Sequence, residues 1–101
     1  MKEKKFNLFG SNWKINYVPK VKDSENNWLY GDASGMKRDI RVSLKDDNNK
    51  PLPQEEVEIA ELHEIMHAIF MAGQYHNCNN DEPLVEWCAR CIYSLKKQGI
   101  L

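Results

Sequence analysis

The chain predicts an α+β domain in which a small antiparallel sheet of about three strands precedes two helices. Three observations carry that expectation. Residues before Pro51 alternate apolar and polar with a period of two. Residues after Pro53 repeat at helical spacing, and prolines with turn residues separate the two regimes. A chain of 101 residues has room for one small core, so residues 1–101 form one domain. Its parts are a sheet over about 1–50, a helix over 53–73 and a second helix over 82–98.

Phe6 and Leu8 predict a short strand that ends at Gly10. Trp13, Ile15 and Tyr17 then alternate with Lys14, Asn16 and Val18 until Pro19 stops the run. Residues 20–27 are polar and read as a loop, Trp28-Leu29-Tyr30 as a short strand-like piece, and 31–35 as a turn. Ile40, Val42 and Leu44 share one face of a half-buried strand with Asp39, Arg41 and Ser43 on the other. That strand is expected at or near the edge that borders the functional cleft, where an extended peptide could pair with it. Pro51 and Pro53 keep it from continuing.

Pro53 suits the start of a helix, and Glu55, Glu56 and Glu58 put negative charge where the helix dipole favours it. Ile59, Leu62, Met66, Ile69 and Phe70 form its apolar face, which Gly73 closes. Asp81 or Glu82 caps the second helix, with Pro83 in its first turn and Lys96 and Lys97 in its last. Gly99 can adopt the left-handed stop, with Ile100 or Leu101 folding back. Leu84, Cys88, Cys91, Ile92 and Leu95 share one apolar face, so Cys88 and Cys91 are expected in the core rather than in a second metal or redox site. Cys78 is expected to be exposed, and Trp13 and Trp28 to complete the core. Three cysteines are an odd count and make no disulfide framework.

Net charge is −1 with both signs dispersed, and Lys2, Lys4 and Lys5 are too short a basic run to engage nucleic acid. No apolar run reaches the length of a membrane helix, and no apolar segment follows the charged start as in a signal peptide. The sequence therefore reads as a soluble cytoplasmic protein.

Within the first helix, His63-Glu64-Ile65-Met66-His67 is an H-E-x-x-H motif. Histidines four residues apart lie one above the other on a helix, so their ring nitrogens can converge on one zinc ion. Glu64 stands beside the first histidine, where a carboxylate can take a proton from a water molecule. Two histidines make a weak site, so a third ligand is needed. Six residues past His67 the chain has Gly73, which rules out a third histidine there. Glu86 is the preferred candidate, a carboxylate between Val85 and Trp87 on a packed helix; Glu82 and His76 remain open, as does Glu86 pairing with Arg90. For a second donor to the substrate carbonyl the order is Tyr93, His76, Tyr75.

His63-Glu64-x-x-His67 followed nineteen residues later by Glu86, in a sheet-then-two-helices chain, resembles the gluzincin branch of the zincin metallopeptidases. More closely it resembles the minimal phage and mobile-element forms related in pattern to ImmA/IrrE-type metallopeptidases. The Asp39-Ile40-Arg41-Val42 strand and Glu86-x-x-Ala89 extend the likeness over roughly residues 6 to 98. The resemblance implies a zincin-like fold and one zinc ion held by His63, His67 and Glu86. It also implies Glu64 as general base and a peptide or protein substrate. A non-catalytic binding module stabilised by the same zinc is the alternative, and Glu64 separates the two, because a purely structural site has no use for it.

Overall fold

The computed structural model describes residues 3–101 of the chain, so Lys2 of the basic start lies outside the described residues. β1 (Glu3–Leu8) and β2 (Ser11–Val18) form a hairpin through Phe9 and Gly10, which both have positive φ, 49° and 91°. As the alternation predicts, Trp13, Ile15 and Tyr17 are buried on one face of β2. β3 (Val21–Lys22) and β4 (Trp28–Leu29) pair as a separate two-stranded ribbon. The buried Ser43 ties it to the main sheet: its Oγ accepts from the Val21 amide at 2.8 Å and donates to the Leu29 carbonyl at 2.7 Å. β5 (Gly31–Ser34) and β6 (Asp39–Ser43) complete a four-stranded sheet in the order β1-β2-β6-β5.

The sheet corrects the sequence expectation in two ways. It is mixed rather than antiparallel, because β6 lies parallel to β2, with Ile15 opposite Ile40 and Tyr17 opposite Val42. Period-two alternation reports which face is buried and is silent on strand direction. Here the ribbon and β5 occupy the crossover that a parallel neighbour requires. Second, Gly31–Ser34, read as turn, is the edge strand, and β6 lies one strand inside it.

α1 (Gln54–Ala72) packs on this sheet, and Val57, Ala60 and Ala68 join Trp13, Ile15, Tyr17, Ile40 and Val42 in one core. The polar linker contains a single-turn helix, α2 (His76–Asn79), which the sequence does not predict. α3 (Glu82–Lys97) follows, capped by Asp81, whose Oδ1 accepts from the Leu84 amide at 3.1 Å. Gly99, at φ 79°, ends it in the expected left-handed stop, with the Ile100 amide on the Leu95 carbonyl at 3.0 Å. Ile100 and Leu101 remain exposed instead of folding back.

α3 also corrects the core expected of it. Its fully buried residues are Val85 and Ala89, whereas Leu84, Cys88 and Cys91 are half-buried and Leu95 is 38% exposed. The face of α3 that buries is centred on Val85 and Ala89, so the larger apolar stripe is turned outward from it by roughly 100°. Trp13 is buried as expected; Trp28 is half-buried and donates from Nε1 to the Lys45 carbonyl at 3.0 Å. Among the described residues no helix is long and apolar enough to cross a membrane.

Candidate metal centre

One side of α1 faces an open cleft of about 930 Å³, with β5 as the opposite rim and the start of α3 as its end wall. Glu56, Ala60, His63, His67 and Met71 follow one another along that side at three- and four-residue steps, with Glu64 next to His63. Tyr30, Gly31 and Asp32 line the opposite rim, and Asp32 is held by a bidentate pairing with Arg41, Nε to Oδ1 at 2.9 Å. Gly31 is needed where it stands. A Cβ there would meet the Arg41 carbonyl oxygen at 2.6 Å and the Glu64 Cγ at 3.1 Å, so the strand can pass this close only without a side chain.

The rings of His63 and His67 meet edge to face with centroids 5.0 Å apart. Both Nε2 atoms point at the carboxylate of Glu82, from His63 at 3.0 Å to Oε2 and from His67 at 3.0 Å to Oε1. These three residues each offer a ligand atom, and the three atoms lie within 4.8 Å of one another. The outer nitrogens have separate partners: Nδ1 of His63 lies 2.8 Å from Glu86 Oε1, and Nδ1 of His67 lies 2.7 Å from Asn79 Oδ1. Arg90 holds Glu86 from behind, Nε to Oε2 at 2.7 Å.

Counting protons shows what this arrangement suits. A carboxylate only accepts hydrogen bonds, and a neutral imidazole carries a single N–H. His63 faces carboxylate oxygens on both nitrogens, and His67 faces a carboxylate on one and a side-chain amide oxygen on the other. One proton per ring cannot serve both sides, and two imidazolium rings 5.0 Å apart would repel. A cation among the two Nε2 atoms and Glu82 resolves the conflict. Each ring then keeps its proton on Nδ1, donating to Glu86 or Asn79, and every lone pair facing the centre meets positive charge. Imidazole nitrogens with one carboxylate are a donor set that fits zinc.

Glu64 is 7% exposed and lines the same cleft. Burial pushes its carboxyl up to about 7; the neighbouring His63 opposes that shift, while Asp32, Glu82 and Glu86 reinforce it. A cation at the centre would draw it back toward the ionised form. Burial also raises the Glu86 carboxyl, but hydrogen bonds with His63 and Arg90 outweigh it and leave that group below its ordinary value.

The structure thus brings together His63, Glu64, His67, Glu82 and Glu86. It differs from the sequence expectation in the parts the two glutamates take: Glu82 faces both Nε2 atoms, whereas Glu86, the preferred ligand, faces the outer nitrogen of His63. The first turn of α3 overhangs the histidines, and residue 86 lies one turn further along. Tyr93 is not at the cleft. Two turns past Glu86, about 10 Å along the helix, it lines a separate groove with Tyr17, Glu61 and Lys97. His76 and Tyr75 are exposed and do not line the cleft. Asn79 and Tyr30 also belong to the site, and the sequence does not mark them. Asn79 sits in a run of asparagines with nothing to single it out, and Tyr30 reads as one more strand residue.

Comparison with protein families, curated proteins and solved structures finds no match for this chain.

Proposed function

We propose that the protein is a zinc-dependent peptidase with His63, His67 and Glu82 as metal ligands and Glu64 as general base. The observation that carries this reading is the convergence of both histidine Nε2 atoms on the Glu82 carboxylate, where a bound cation would let each ring keep its one proton on Nδ1. Glu86 and Asn79 then hold the two rings through Nδ1, fixing tautomer and orientation. A bound zinc ion would supply Lewis acidity toward the scissile carbonyl and acidify a water molecule. Glu64 takes the proton from that water as its oxygen attacks the carbonyl carbon, and returns it to the leaving amine nitrogen as the C–N bond breaks. The outer edge of β5 offers unpaired backbone groups beside the cleft, so an extended peptide could lie along it as an added strand. This reading keeps the H-E-x-x-H chemistry that the resemblance implies, with Glu82 in place of Glu86 as the proposed third ligand.

The alternative is a zinc-stabilised binding module, favoured by the fact that the ligands join α1 to α3 and so would brace a small core. One experiment separates the two. Metal content and hydrolysis of a broad peptide library are measured for the wild type and for Glu64→Gln. A peptidase should carry about one zinc per chain, cleave library members, and lose at least 10²–10⁴-fold of its rate on substitution while keeping its metal. Full metal loading with no hydrolysis of any library member would leave the binding module as the better reading.

A further inference from the structure

The cleft has free charge at one end only. β5 and α1 run the same way past each other, since a Cβ at Gly31 would meet Glu64 and one at Gly35 would meet Met71. Tyr30, just before β5, therefore stands toward the start of α1, where Glu55, Glu56 and Ile59 line the same cleft. Past the histidines the lining is Ala33, Met71, Asn79 and Asn80, none of them charged. The remaining charges are already engaged. Asp32 is paired with Arg41, Glu86 with His63 and Arg90, and Glu82 faces both Nε2 atoms. Arg90 is the one Lys or Arg side chain in the lining, and Glu86 holds it at 2.7 Å. Glu55 and Glu56 are exposed and enter no ion pair among the described residues. A second observation also points to a ligand here: Glu64 is 7% exposed, lines the cleft, and has no hydrogen-bond partner among the described residues.

We infer that the substrate is a basic peptide, with a Lys or Arg side chain seated between Tyr30 and the Glu55–Glu56 pair, close to the cleaved bond and always on the same side of it. The word substrate rests on the peptidase reading above; the seat for a basic side chain does not. Glu56 lies seven residues before His63, roughly 10 Å along the helix, a length that an extended chain covers in about three residues. The two carboxylates attract the cationic head, and the half-open Tyr30 ring offers its face to that head or to the apolar stem behind it. The uncharged far end gives a second basic residue nothing to bind, which makes the preference one-sided. Two exposed pairs of this kind together contribute about three- to tenfold in affinity, so the effect is a preference and not an absolute requirement. Acidic residues in a first turn also suit the helix dipole, but Glu58 does so while facing the separate groove beside Tyr17, and so serves as a control.

The test separates binding from turnover. Zinc-loaded Glu64→Gln protein is titrated into three fluorescein-labelled peptide pools, each randomised over uncharged residues except at one central position. That position holds lysine, its uncharged analogue norleucine, or glutamate. Fluorescence anisotropy should show the lysine pool binding about three- to tenfold tighter than the norleucine pool and the glutamate pool binding weakest, with the differences shrinking in about 0.5 M salt. Adding Glu55→Gln and Glu56→Gln together should remove the lysine advantage, with zinc content and far-ultraviolet circular dichroism unchanged. Adding Glu58→Gln instead should keep it. Failure of every pool to bind, equal binding of the three, an advantage that survives the double substitution, or one that Glu58→Gln also removes overturns the inference. Wild-type protein is then given the lysine pool, and mass spectrometry of the fragments should place the cuts within about three residues of the lysine on one side. Cuts scattered on both sides overturn it as well. Lysine-dependent binding with no hydrolysis sinks the peptidase reading alone and leaves a cleft that binds basic peptides.

Discussion

Nδ1 of His67 meets Oδ1 of Asn79 at 2.7 Å, a contact that joins the long first helix to the single-turn helix after it and turns the Nε2 of His67 toward Glu82. A partner of this kind typically accounts for 10–100-fold in metal affinity. Asn79→Ala should therefore weaken zinc binding by about that factor in a competition titration with a chromogenic chelator. Asn79→Asp, which keeps an acceptor at the same place, should restore most of it. Equal affinity in all three proteins would remove Asn79 from the site.

The two glutamates of α3 should differ in kind. Glu82→Ala removes a ligand and should abolish stoichiometric zinc after dialysis. Glu86→Ala removes only the acceptor behind His63 and should leave a loaded but weaker site, by roughly 10–100-fold. Metal analysis of both variants decides the matter. If Glu86→Ala strips the metal and Glu82→Ala retains it, the roles are reversed.

Gly31 and Gly35 offer a matched pair. Alanine at Gly31 drives its Cβ into the backbone oxygen of Arg41, which cannot move without breaking the β5–β6 ladder. Alanine at Gly35 meets only the Sδ of Met71 at 2.8 Å, the soft end of a flexible side chain. Thermal melts should show Gly31→Ala destabilised by about 1–3 kcal/mol and Gly35→Ala by clearly less. The reverse order would mean that β5 is not held as described.

Glu64 should make the metal-free protein sensitive to pH. Its carboxyl is raised from 4.5 to about 7 in the folded chain, so the unfolded chain gives up this proton first as pH rises. Stability from this group is therefore intact below about 4.5, declines between 4.5 and 7, and stays reduced above 7. With chelator present, Glu64→Gln should gain on the wild type between pH 5 and pH 8 by an amount of the order of 2–3 kcal/mol. Parallel stability curves for the two proteins across that range would contradict the burial of an ionisable group at this position.

The parts of the molecule that local spacing determines were legible in the sequence. Four-residue spacing puts His63 and His67 on one side of a helix whatever that helix packs against, and Trp13, Ile15 and Tyr17 share a face by alternation alone. What depends on how elements cross was not legible. Whether Glu82 or Glu86 reaches the Nε2 atoms depends on where α3 passes over α1, with Val85 and Ala89 on its buried face. β5 looked like a turn because Gly31 and Gly35 punctuate it. Yet Gly31 is required by the nearness of Arg41 and Glu64, which is visible only in three dimensions. The outward turn of the α3 stripe is not legible either, because periodicity reveals that a face is apolar and says nothing about what covers it.

The order of strands has a practical outcome for anyone handling the protein. β5 borders the cleft at one edge of the sheet, and the β1–β2 hairpin forms the other, three strand spacings or about 14 Å away. Its tip, Phe9 and Gly10, is exposed to solvent, and both residues have positive φ. A fluorophore, an affinity handle or a surface tether inserted at that tip would anchor the molecule by its far side, with the cleft turned toward whatever is flowed past it.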